Sequence, residues 1–525
     1  MRISAKPASR SSISRSSLAV AIVIAGLALM LWMVHGARAS LVIDASYSPN
    51  ADETCFATPD GGATVFSSTD ASAVQDAVTA ASPGNTIQAA GYCAGVHEVV
   101  HEMQTVHIPQ ELTLRGGYTT TNWSTSFPVT QPTTLDAQGL GRVIYATDPF
   151  TMTDVTVQNG SISGIGGCPS GCGGGIFAAS ALNLDGVSIL SNTATSDGGG
   201  VYAFSVAQLS DVFFLNNACT SVDCHGGGLF VYGTLTLNGS RFLGNVAAGS
   251  GGGAYVTSGI VGHSGLTNNL FARNAASTAA AFYLIDPTSG TGTADVINTT
   301  IASPTLSNGP AIYIGAGAVN ITNTSIASYS IGISNAVGTV REDYNLFFGS
   351  TITSAGLIIH GAHSFVNDPR FVDPPADDYH LAAISAAIDR GVDAGVYADL
   401  DGNPRPQGAG YDIGAYESSF VTTCEPITGV DILYAPTTPR PDQPVFFTAV
   451  VTTATLPITY TWDFGHAVTV ITSTASIVHR FPLTNTTRTY TVVMTADNAC
   501  SSLAGNPRQV IVQPYTVYLP VIIRE

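Results

Sequence analysis

Three aspartates, Asp154, Asp185 and Asp211, recur in short apolar contexts, TDVTV, LDGVS and SDVFF. Two carboxylates flanking a glycosidic bond supply the acid and the base, or the acid and the nucleophile, of sugar hydrolysis. Repeat-like placement would let these three approach one another across strands, yet each context reads first as the start of a turn. Asp223 and His225, in SVDCHGG, offer an acid and an imidazole two positions apart. Such a pair shares a face only where the chain is extended, and an exposed turn is the preferred reading. Asp399, Asp401, Asn403 and Asp412 in DLDGNPRPQGAGYD could supply the oxygen ligands that Ca2+ favours. The segment lacks a full EF-hand loop and contains Arg405, so a structural cap is preferred to a calcium-stabilised one. Tyr118, Trp123, Tyr202, Tyr255 and Tyr283 are sugar platforms if exposed and core or edge residues if not.

The charge balance narrows the chemistry. Of 525 residues, 36 are acidic and 18 basic, and the one lysine is Lys6. A lyase must abstract a proton and stabilise the resulting negative charge, and scattered arginines serve that poorly. An acidic chain without a basic stripe repels nucleic acid, so nucleic-acid binding is excluded. With 45% apolar and 10% charged residues the chain has the means to fold. Its 55 glycines follow no three-residue period, which excludes collagen.

Arg2, Lys6, Arg10 and Arg15 precede an apolar run from Leu18 to Val34, followed by Ala37-Arg38-Ala39. This is the pattern of an export signal over 1–39, with a retained anchor as the alternative; no later segment reads as membrane-spanning. All eight cysteines lie beyond it, as suits an oxidising destination. Their order suggests the pairs Cys55 with Cys93, Cys168 with Cys172, Cys219 with Cys224, and Cys424 with Cys500. A metal site is the rival for the two close pairs, but their surroundings hold no His/Cys quartet and His225 stands alone.

The elements that position these residues follow from periodicity. Ala73, Val74, Ala77, Val78 and Ala81 share one face of a helix predicted over Asp70 to Ala81, capped by Thr69 or Asp70 and stopped by Pro83-Gly84. Triple glycines at 173–175, 198–200, 226–228 and 251–253 are each followed by a short apolar strand. A second strand phase covers Val187 to Leu190, Val212 to Leu215, Phe242-Leu243 and Leu270-Phe271, with Asn192, Asn217, Asn245 and Asn274 after it. Glycines permit left-handed corners, and stacked asparagines can bridge successive turns of chain. The predicted fold is therefore all-β: a parallel β-helix, its coils about 4.8 Å apart. A compact all-β domain follows. The expected organisation is a signal peptide (1–39), a cap region with a short helix (40–95), parallel β-helix repeats (96–366), the end of the β-helix (367–421), a β-sandwich (427–512) and an apolar tail (513–525).

Four stretches carry a family resemblance. VFSSTDASAVQDAVTAASPGNTIQAAGYCAG, ending at Gly95, resembles the N-terminal cap of extracellular right-handed parallel β-helix proteins, and GGGIF, GGGVY, GGGLF and GGGAY resemble repeats of bacterial surface β-helices. DYHL, AIDRG and DLDGNPRPQGAGYDIGAYE, between Asp378 and Glu417, resemble the end-cap region of choice-of-anchor Q domains in bacterial exported proteins. Tyr460 to Gly465, His479-Arg480-Phe481 and Tyr490 to Val493 resemble a PKD domain, with Gly465-His466 departing from its usual Gly-Asp-Gly turn. These resemblances imply a right-handed parallel β-helix of the pectin-lyase type followed by a small immunoglobulin-like β-sandwich, in a secreted or cell-surface bacterial protein, structural or adhesive, binding an extracellular polysaccharide or a surface protein. A monomer is expected, with no cofactor beyond an optional Ca2+. Catalysis, as a polysaccharide lyase or glycoside hydrolase, is the less favoured alternative, and an envelope protein-interaction scaffold is another.

Overall fold

Runs of two to four apolar residues between glycine and asparagine are too short for helices and suit strands that turn sharply at both ends. The computed structural model describes residues 55–99, 102–164, 168–257, 263–285, 292–420, 426–455, 458–498 and 501–514. The expected signal segment, the residues up to 54, Cys424, Cys500 and the tail from 515 lie outside the described residues. The fold is almost entirely β. Thirteen strands form one large sheet and twenty another, beside a small five-stranded sheet.

Most pairings in these sheets are parallel and link each strand to its counterpart one repeat later. Three columns show the register. Ile176 faces Val201, then Leu229, Ala254 and Phe282. Ile189 faces Phe214, Phe242, Phe271, Ile301 and Ile326. Leu184 faces Leu209, Leu237, Leu266, Val296 and Ile321. All of these side chains are buried in one core cluster. The third column belongs to strands such as Leu182–Asp185 and Leu235–Asn238, whose alternating polar residues weaken their apolar signal.

The repeated asparagines form a buried ladder. The Asn192 side-chain amide donates to Asn217 Oδ1 (3.0 Å), Asn217 to Asn245 (2.9 Å) and Asn245 to Asn274 (3.0 Å). Each acceptor oxygen also receives the backbone N–H of the asparagine one repeat earlier. The triple glycines have separate reasons. The first takes φ between 64° and 70° in all four repeats, a left-handed corner that glycine adopts without penalty. A Cβ on the third, at Gly200, would sit 2.5 Å from Gly228 O and 3.0 Å from the Asn217 amide.

The helix α1 spans Ser72–Ala80, with Ala73, Val74, Ala77 and Val78 buried. Its N-cap is Ala71; the Asp70 carboxylate accepts the Ser72 N–H from one position earlier. Cys55–Cys93, Cys168–Cys172 and Cys219–Cys224 are disulfide-bonded. The last bridges an insertion: Asn217 precedes Gly226 by nine positions, where Asn192 precedes Gly198 by six. No helix among the described residues is long and apolar enough to cross a membrane.

A smaller sandwich-like region has its own core. Asp431–Ala435, Pro444–Val450 and Ser476–Arg480 pair antiparallel. Thr459–Asp463, Thr469–Thr472, Arg488–Asp497, Ser502–Ala504 and Arg508–Val512 form the second antiparallel set. Trp462, Phe447, Phe464 and Phe481 fill the interior, and the Trp462 indole N–H donates to Thr472 Oγ1.

Replacing Asn217 with alanine removes the buried acceptor of the Asn192 backbone N–H and of one Asn192 amide N–H, while the amide's bond to Val157 O remains. The expected cost is about 2–4 kcal/mol, as for other buried hydrogen-bond networks that lose a member. Urea or thermal unfolding of the variant measures it, and an unchanged midpoint would show the ladder to be energetically idle.

Candidate functional site

The candidate acids are corner residues. Asp154 and Asp211 have φ of 58° and 52° and occupy equivalent corners two repeats apart, with Gly186 at the corner between them. Each carboxylate lies over the glycine of the next repeat, Asp154 over Gly186 and Asp211 over Gly239. Burial raises the Asp154 pKa, opposed by the Arg115 guanidinium at 3.9 Å. Asp185 ends a strand with its side chain exposed. The three share one edge of a sheet without closing a pocket around a substrate.

Asp223 is exposed beside the Cys219–Cys224 bridge. His225 stacks on Tyr255 with centroids 4.5 Å apart, and its backbone N–H donates to Asp197 Oδ1 at 2.7 Å. The acid at His225 is thus Asp197, which local spacing could not reveal because it comes from the preceding repeat. Burial raises the Asp197 pKa against the opposing His225 bond. Asp197 also lies near the sulfurs of Cys168 and Cys172, which are bonded to each other and so lack the thiolates a metal would need.

The aromatic candidates correct the sugar-platform reading. Tyr118 and Trp123 are 4% and 9% exposed and stack on each other. Tyr202 is 5% exposed, between Phe177 and Phe230 with centroids at 5.2 and 4.9 Å. Tyr255 and Tyr283 are half-buried members of the same column, which runs on to Tyr313. A sugar stacks on a ring face, and both faces of Tyr202, Tyr255 and Tyr283 already meet neighbouring rings. In-register pairing brings this about, since an outward aromatic in one repeat falls directly over that of the next.

The proposed calcium ligands are likewise committed elsewhere. Asp399 accepts the N–H groups of Asp401, Asn403 and Glu417 and the Asn403 side-chain amide. Asp401 pairs with Arg241 at 2.8 Å and with His380 at 2.5 Å. Asp412 is buried, accepts from the N–H groups of Asp389 and Ser418, and has its pKa pushed up to about 7 by burial and the Glu417 charge. Oxygens bonded to N–H donors and cations do not form a Ca2+ cage.

These residues belong to a segment that runs along the flank of the repeats instead of only closing their end. Arg273 pairs with Asp377, Arg241 with Asp401, Arg405 with Asn268, and the Thr300 hydroxyl accepts the Ala415 N–H. Asn323 exchanges two hydrogen bonds with Val392. Tyr379, Leu400, Ala415 and Tyr416 cover Leu243, Leu270, Ala272 and Ala302. The arginines that anchor it lie more than a hundred positions away in sequence, so no local motif marks them.

His380 sits between Asp401 and Asp378, with Tyr416 against its ring. The Asp401 bond chiefly, with Asp378 adding, outweighs burial and raises its pKa to about 9. Burial works against the Asp401 charge, but His380 and Arg241 hold its carboxyl below the usual range. A histidine raised on folding stabilises fully below its unfolded pKa, about 6.5, and ceases to as pH climbs through the folded value. The protection factors for hydrogen exchange over 378–401, taken relative to the intrinsic rate at each pH, should therefore fall between pH 6.5 and 9, and His380→Gln should abolish that fall. Arg405→Ala leaves the fully buried Glu417 carboxylate without its cation, at an expected cost of about 3–5 kcal/mol by chemical denaturation.

No protein-family model matches the chain, and no curated protein matches it. One solved structure shows similarity: the solution structure of the PKD domain from human VPS10 domain-containing receptor SorCS2. It is 18% identical, covers 21% of this chain and 93% of its own, and superposes with a TM-score of 0.16. A score that low leaves the architecture of this chain to be argued from its own strand pairing.

Proposed function

We propose that this is an exported, surface-associated structural or adhesive protein, with the parallel sheets wound as a right-handed β-helix and a PKD-like sandwich spacing it from its attachment point. The observation that carries the reading is a regular outward row on the thirteen-stranded sheet. Thr151, Asn183, Gln208, Thr236, Asp295 and Asn320 belong to successive repeats in register, with one glycine position interrupting the row. Asn183, Gln208, Thr236 and Asn320 are exposed. Hydroxyls and amides at about 4.8 Å intervals suit a long polymer recognised by hydrogen bonds, each weak alone and effective in series. An acidic chain favours a neutral polysaccharide over an anionic one. Three bonded cysteine pairs support an oxidising, extracellular destination.

The hydrolase and lyase alternatives draw less support, because Asp154 and Asp211 stand at corners with their oxygens over glycines and Asp185 and Asp223 are exposed. Incubating the protein with neutral and acidic polysaccharides, with Ca2+ present or chelated, should give retention of a neutral polymer without cleavage. Asn183→Ala, Gln208→Ala and Asn320→Ala combined should weaken retention about tenfold or more. Calcium-dependent cleavage would overturn the reading, and the absence of both retention and cleavage would move it to a protein-binding scaffold.

A further inference from the structure

At the end of the thirteen-stranded sheet, Glu342 and His360 are direct partners in the last parallel pair. The Glu342 side chain is 1% exposed. Its Oε2 accepts from the Ser364 hydroxyl and the Asn345 amide, leaving Oε1 for His360 Nδ1 at 2.6 Å. On the other side of the ring, His360 Nε2 lies 3.3 Å from Ser354 Oγ. Half of the His360 side chain is open to solvent.

A carboxylate only accepts hydrogen bonds, so a neutral His360 carries its proton on Nδ1 and presents the Nε2 lone pair to the serine hydroxyl. That is the nucleophile–base–orienter order of acyl-transfer sites: a hydroxyl within reach of an imidazole whose other nitrogen is held by a buried carboxylate. Among the described residues, other histidines lack one part. His380 is held by a carboxylate on each nitrogen. His263 contacts the Thr293 hydroxyl, but its carboxylate, Asp295, is 3.5 Å away and itself partly exposed.

We propose that Ser354, His360 and Glu342 form an esterase site, with Ser354 and His360 catalytic and Glu342 a positioning residue. Ser354 Oγ bonds to the ester carbonyl carbon while its proton passes to His360 Nε2. The bond from that carbon to the alkoxy oxygen breaks, and the His360 proton leaves with the alcohol. Water then attacks the acyl-serine, its proton going to His360; the carbon–Oγ bond breaks, the acid departs and Ser354 regains its proton. No oxidant or metal enters the balance. The carboxylates of Glu342 and Asp343 beside the site disfavour anionic acyl groups, so the substrate class is carboxylic esters of small uncharged acyl groups.

The test treats the full chain with a fluorophosphonate probe, locates the adduct by peptide mass spectrometry, and follows p-nitrophenyl acetate hydrolysis. The expected result is an adduct on Ser354, absent in Ser354→Ala and formed at least 100-fold more slowly in His360→Ala. Hydrolysis should fall at least tenfold in both variants, with circular dichroism unchanged. Glu342→Gln should lower kcat and leave KM in place, which a merely structural role would not do. Because Glu342 is buried and its variant risks misfolding, the more accessible Ser354 and His360 pair decides the matter. No adduct on Ser354, or equal labelling in His360→Ala, overturns the proposal.

Discussion

A side-chain amide buried between parallel strands must satisfy two donors and an acceptor without water, and a second amide at the same height of the next repeat does this most directly. Asn192, Asn217, Asn245 and Asn274 solve the problem in this way, and much of the surrounding order depends on it. In the first three triples the third glycine stands seventeen positions before the asparagine of its repeat, at Gly175 and Asn192, Gly200 and Asn217, and Gly228 and Asn245. A slip of one residue would turn every inner side chain outward. The ladder raises the cost of such a slip, because it would also strand the amides.

The same stacking decides what the outward side chains are free to do. Aromatics in register meet face to face and screen one another, so the rings that looked most suited to sugars are the least accessible. Small polar residues in register leave their donors and acceptors facing solvent. The flanking segment from Tyr379 to Glu417 covers apolar side chains that the sheet presents outward, and buried or half-buried ions hold it there. Its acids, read alone, resemble a cation site; their partners are backbone N–H groups and arginines of the repeats.

Much of this was legible in the sequence where the signal repeats. The glycine and asparagine phases located the parallel strands, and residues 72–80 read as a helix from their apolar spacing. The third strand phase was faint because LNLD, AQLS and LTLN alternate with polar residues. Pairing between distant residues was not legible at all: nothing local ties Arg241 to Asp401, Asp197 to His225, or Glu342 to His360. Exposure was equally hidden, since a tyrosine in a ladder and a tyrosine on a platform have the same one-letter context.

The loop closed by Cys219–Cys224 has a consequence for how this chain can change length. Between corners the backbone is committed to its register, so material enters by whole repeats or where the path leaves the sheets. The three extra residues there are accommodated with the Asn217 to Asn245 rung intact. That loop is therefore a natural port for grafting foreign peptides: a short guest, tethered by its own covalent staple, should ride on the protein without disturbing the strands above and below it.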